Sequence, residues 1–142
     1  MTTRRESYVA ALMTLLGANA GLQALGTTLK RSIAEAIDSE ESPVLVVHRG
    51  RDVVADSNIG RTTRSCAVML TAVVRDPAPD RAADDLFEFA HPIVMHFDAD
   101  GLVGVNEETT DEPETAEIEG GVGVVTLHYT ILYQTNTDSL IA

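Results

Sequence analysis

The chain has 142 residues, 44% of them apolar, and a formal net charge of −12. That is enough apolar material for one domain with a real core, over residues 1–142, and it excludes a disordered chain. No run approaches the ~20 apolar residues of a membrane span, the acidic balance excludes general nucleic-acid binding, which needs a basic footprint, and the lone Cys66 excludes an internal disulfide and fits a reducing compartment.

Thr3 followed by Glu6 fits a capping box at the start of a first helix. Tyr8, Leu12, Leu15 and Leu16 form its apolar stripe, widened by Val9 and Met13, and Gly17 stops it. Glu6 interrupts this stretch and no A-x-A pattern follows, so it does not read as a signal peptide. Leu22 and Leu25 are expected beneath the helix. Thr27–Ile33 admits two readings, a strand or, from Ser32 to Ile37, a short helix. Asp38–Ser42 is a polar loop closed by Pro43.

Val44–His48 is a short β-branched run and predicts a central strand. Arg49–Thr63 reads as a long polar connection, and Arg64–Arg75 as a second strand with Cys66 buried in it. Asp76-Pro77 and Ala78-Pro79 end that strand. Asp80 can cap a second helix whose apolar face is Ala83, Leu86, Phe87, Ala90, Val94 and Phe97. Pro92 lies inside it and predicts a kink near Glu88. The DADG turn, Asp98–Gly101, leads to a strand from Leu102 to Asn106.

An acidic segment follows, with Glu107, Glu108, Asp111, Glu112, Glu114, Glu117 and Glu119 and no base. It reads as a loop. It runs into Val124–Thr135, where Val125, Leu127, Tyr129, Ile131 and Tyr133 alternate with Thr126, His128, Thr130 and Gln134. A period of two is a half-buried strand. Ser139–Ala142 reads as a mobile tail. The expected fold is α+β: a two-layer domain with a mixed sheet of four or five strands and two main helices packed on it, in the order α-β-β-β-α-β-β.

Charge is uneven along the chain. Residues 1–75 hold nine Lys/Arg against seven Asp/Glu, whereas residues 76–142 hold Arg81 alone against fifteen acids. Opposite-sign faces suit head-to-tail association of copies, alongside the plainer reading of an uneven solvated surface. Arg49, Arg51, Arg61 and Arg64 bracket the middle connection and read either as ordinary solubilising residues or as candidates for pairing with carboxylates of a neighbouring subunit or a partner protein, since a guanidinium holds a carboxylate through two parallel bonds.

Motifs for reaction chemistry are missing. His91 and His96 stand five apart, about 140° round a helix, and do not converge on a metal. Asp98 and Asp100 resemble the start of a calcium loop that lacks its later oxygen ligands. There is no glycine-rich phosphate loop, G-x-S-x-G or C-x-x-C, and the crowded carboxylates of the acidic segment lack the opposed environments of an acid/base pair. The expectation is no catalytic residue, no metal and no cofactor; a small enzyme or ligand-binding domain is the alternative from a different class.

With these elements in place, the chain resembles phage and prophage tail terminator proteins, the lambda-like minor tail protein U group. ESYVAALMTLLGANAGLQAL is similar to that family's first helix and turn, and ESPVLVVHRG to its proline-led central strand. SCAVMLTAVVRDPAPDRAADDLFEFAHPIVMHFDADGLVGV resembles the strand, helix and turn that follow. VVTLHYTILYQTNTDSL resembles the closing strand with its Tyr-x-Thr element, here Tyr133-Gln134-Thr135. The resemblance implies a non-enzymatic virion protein, assembled in the bacterial host cytoplasm. It would form a homohexameric ring that caps the tail tube, stops its polymerisation and offers a surface to a head–tail connector. Another connector or tail-completion protein would share much of this architecture. The acidic segment would then face either the tube protein or the lumen, where it would repel DNA phosphates and let the genome pass unbound.

Overall fold

The structure, a computed structural model, describes residues 2–116 and 121–142. Its described residues form four helices and six strands in the order α1 (Arg4–Gly17), α2 (Ala20–Ala24), β1 (Thr28–Lys30), α3 (Ile33–Asp38), β2 (Val44–Asn58), β3 (Arg61–Val74), α4 (Pro79–Met95), β4 (Leu102–Thr110), β5 (Glu114–Ala116) and β6 (Val122–Asn136). The α+β class and the mixed sheet are as expected. The element order is not, because the segment before Val44 contributes both a strand and a helix, and the acidic segment contributes strand rather than loop.

The sheet runs β1-β2-β3-β6-β4, with β5 also on β6. β1 pairs parallel to β2, and every other pair is antiparallel. β3 and β6 are matched over fourteen positions, from Arg61↔Asn136 to Val74↔Gly123, without a register shift. This unbroken central pair is where β-branched and aromatic residues concentrate, and it carries the core.

α1, α2 and α4 cover one face of the sheet. Tyr8, Val9, Leu12 and Leu16 of α1 and Ala83, Leu86, Phe87, Ala90 and Val94 of α4 meet Val68, Leu70, Leu127, Tyr129, Ile131 and Tyr133, all buried. Tyr8 sets its ring edge-on to both Phe97 and Tyr133. Leu15, expected in the stripe, is 47% exposed, and Leu25 is also exposed. α3 covers only one end of the other face, over Val44, Val46 and Val73.

Several expectations are corrected. Thr3 caps α1 by accepting from the Glu6 amide at 3.3 Å, but the Glu6 side chain turns to Arg31 and Arg49 rather than back to the cap. Both readings of residues 27–33 hold in part: β1 ends at Lys30, and Ser32 then caps α3. α4 begins at Pro79, with Ala78 and not Asp80 at the cap position, and it continues through Pro92 to Met95. Arg49–Thr63 is no connection. β2 and β3 continue as a hairpin to Asn58↔Arg61, closed by Ile59 and Gly60, where Gly60 takes φ +82°. From Val53 to Asn58 β2 lies at the sheet edge with its side chains exposed, so these residues carry no apolar alternation. The C-terminal residues are tied down: the Arg4 amide donates to the Leu140 carbonyl at 2.8 Å, and the Arg4 side chain donates to the carbonyls of Ile141 and Gln134.

Candidate functional site

The acidic segment forms the outer border of the sheet. Glu107 and Glu108 lie in β4, which pairs with β6 over residues 127–133, and Glu114 lies in β5, which pairs with β6 over residues 122–124. The two short strands therefore follow one another along the side of β6 that β3 leaves free. Asp111 sits between them, its amide bonded to the Thr126 carbonyl at 2.8 Å. Glu117 and Glu119 lie outside the described residues. A charged edge strand shows no hydrophobic period, which is why the segment reads as a loop from its sequence.

Two of these carboxylates are engaged within the chain. Glu107 Oε1 lies 3.6 Å from His91 Nε2 of α4, and Asp111 Oδ2 lies 2.8 Å from His128 Nε2 of β6. His91 is itself stacked on Tyr129 and shares a 2.7 Å hydrogen bond with its hydroxyl. Burial holds the Tyr129 phenol well above its ordinary value, and nearby Glu107 adds to this. Glu108, Glu112 and Glu114 are exposed, with no ion pair among the described residues.

The four arginines do not form one cluster. Arg49 Nη2 reaches Glu6 at 3.3 Å within the chain. Arg61 donates to Asn136 Oδ1 at 3.0 Å and Arg64 to Thr135 Oγ1 at 3.2 Å, both across the sheet. Arg51 is exposed and makes no ion pair among the described residues. It falls in a register shift of β2 between Arg49 and Asp52, a bulge at the edge of the sheet.

A part-buried charge cluster escapes sequence reading. The same bulge turns Asp52 onto the helix-covered face, where its Oδ2 accepts from Arg5 Nη1 at 2.9 Å and from the Tyr133 hydroxyl. The Asp52 hydrogen bond raises the Arg5 pKa, and burial followed by the Asp52 hydrogen bond raises that of Tyr133. Asp52 Oδ1 is buried with no hydrogen-bond partner among the described residues. This cluster pins the N-terminal turn of α1 to β2 and β6. Cys66 lies beside it, 2% exposed, and burial pushes its thiol up to about 11, which keeps it protonated and unreactive.

Polar contacts cross the open face of the sheet. Thr71 Oγ1, fully buried, bonds both His48 Nε2 and Thr126 Oγ1 at 2.9 Å. Desolvation, then His128 and Arg31, lowers the His48 pKa. No group of three or more His, Cys, Asp or Glu side chains among the described residues could hold a metal ion. No described helix is long and apolar enough to cross a membrane.

The sequence matches no protein family profile and no curated protein. Solved structures do share the fold. One is a chain described as "Virion of native gene transfer agent (GTA) particle", 18% identical, which superposes with a TM-score of 0.62 over 89% of this chain and 94% of that one.

Proposed function

We propose that this protein is a structural component of a phage-like particle, and more specifically a tail terminator. Copies form a hexameric ring on the end of the tail tube, halt its growth and present a surface to the head–tail connector. The observation that carries this reading is the near full-length likeness to a chain of a gene transfer agent virion, 94% of which is covered. The tail-terminator resemblance of the sequence and the uneven charge of its two halves narrow it. In this reading the protein belongs to the virion tail, is assembled in the bacterial cytoplasm and acts without catalysis or cofactor.

The exposed carboxylates beyond β4, Glu112 and Glu114, then line the lumen, where like charge keeps DNA phosphates from adhering as the genome passes. The test is to mix the purified chain with its tail tube protein and follow tube length by electron microscopy. Tubes of defined length, closed by six-fold rings, are expected. Unlimited tubes with no ring would overturn the reading. Particles carrying E112K and E114K should form rings and eject DNA slowly; normal ejection would remove the lumen role and leave tube contact as the task of these residues.

A further inference from the structure

The sheet has a free border on each side: the outer stretch of β2 carries Arg49 and Arg51 against Asp52 and Asp56, and that of β4 carries Glu107 and Glu108 and no base. From Val47 onward β2 pairs with β3 alone among the described residues, and β4 pairs with β6 alone. Each border carries two register shifts: in β2 between Arg49 and Asp52 and between Val54 and Asp56, and in β4 between Leu102 and Gly104 and between Glu107 and Thr109. The residues thrown out by these bulges include Arg51 on β2 and Val103 and Glu108 on β4. Both borders also expose apolar side chains: Val53 at 48%, Val54 at 53% and Val103 at 59%.

We infer that copies of this chain join head to tail through these two borders, the outer edge of β2 on one copy against the outer edge of β4 on the next, with Arg51 facing Glu108 beside a contact of Val53 or Val54 with Val103. The inference rests on the ring reading and names the surface that builds the ring. Two different patches at opposite ends of one sheet make a heterologous contact, which closes into a ring when the rotation between copies divides a full turn. Among the described residues, intrachain ion pairing uses Arg49 but not Arg51 or Glu108, which are left to face a neighbour. Opposite charges flanking a small apolar patch set the register and the order of partners.

R51E and E108R are the test, each studied alone and mixed, by light scattering across a range of protein and salt concentrations. Each variant alone places like charges together and should raise the concentration needed for assembly by about tenfold or more. In an equimolar mixture every contact between unlike variants again joins opposite charges. At one such contact the unaltered Arg51 and Glu108 meet, and at the next the two substituted side chains meet with their signs exchanged. Assembly should return, in alternating rings with an even number of copies. Thermal unfolding of each variant checks that the fold is intact, and R51Q with E108Q serves if either charge reversal unfolds it. Variants that assemble like the wild type, or a mixture that does not recover, overturn the interface while leaving the ring intact. A wild type that stays monomeric at every concentration and in the presence of tube protein overturns the ring itself, and the interface with it.

Discussion

The two faces of the central sheet share the same strands and are built for different ends. Along β6, Val125, Leu127, Tyr129, Ile131 and Tyr133 are buried under helices, whereas Thr126, His128, Thr130 and Gln134 on the opposite face are only half-buried. The covered face gains its stability from apolar area and edge-to-face aromatic contacts. The open face is held by short hydroxyl and imidazole bonds such as His48–Thr71–Thr126. One strand thus separates a packed face from an open one by its pleat alone.

Substitutions can break this contrast in a graded way. The largest effect is expected at Ile131→Ala, which opens a cavity among fully buried side chains and should cost about 2–5 kcal/mol in urea unfolding. Its neighbour on the open face, Thr130→Ala, should stay within about 0.5 kcal/mol. Arg5→Leu comes next. It leaves the buried Asp52 carboxylate with Tyr133 as its remaining donor, and because the Arg5 side chain is 25% exposed the cost should be about 1–3 kcal/mol rather than that of a fully buried pair. Thr71→Val removes a hydroxyl that bonds both His48 and Thr126 and should cost about 1 kcal/mol by the same measurement.

The smallest effect concerns pH. The Arg31 hydrogen bond, with Arg31 and Arg49 charge, holds the Glu6 pKa below its ordinary 4.5. A depressed carboxyl contributes stability that is full above the unfolded value and lost as pH falls through the folded one. Unfolding midpoints should therefore decline more steeply below about pH 4.5 in the wild type than in E6Q, by less than about 1 kcal/mol and less still in high salt.

The parts of this fold that sequence reading recovers are those where burial imposes a period. α1, α4 and β6 each bury one face, and their apolar spacing shows it. The borders of the sheet are largely solvated, so residues 53–58 and 107–115 show no alternation even though both contain strand. The Arg5–Asp52–Tyr133 cluster is hidden for another reason. Its members come from α1, β2 and β6, and Asp52 reaches the covered face through a bulge that strict alternation does not foresee. Of the candidate site, the acidic segment was legible as a charged surface, while its position along one border required the pairing with β6.

The bulges have a bearing on solubility. A long, regular strand at the border of a sheet is a template on which any other exposed strand can add, and the result is aggregation. Here the outer stretches of both β2 and β4 are interrupted twice, and three of the four interruptions put Arg51, Val103 or Glu108 where a regular ladder would continue. Irregular borders of this kind disfavour indiscriminate strand addition on both sides of the sheet while the chain is free.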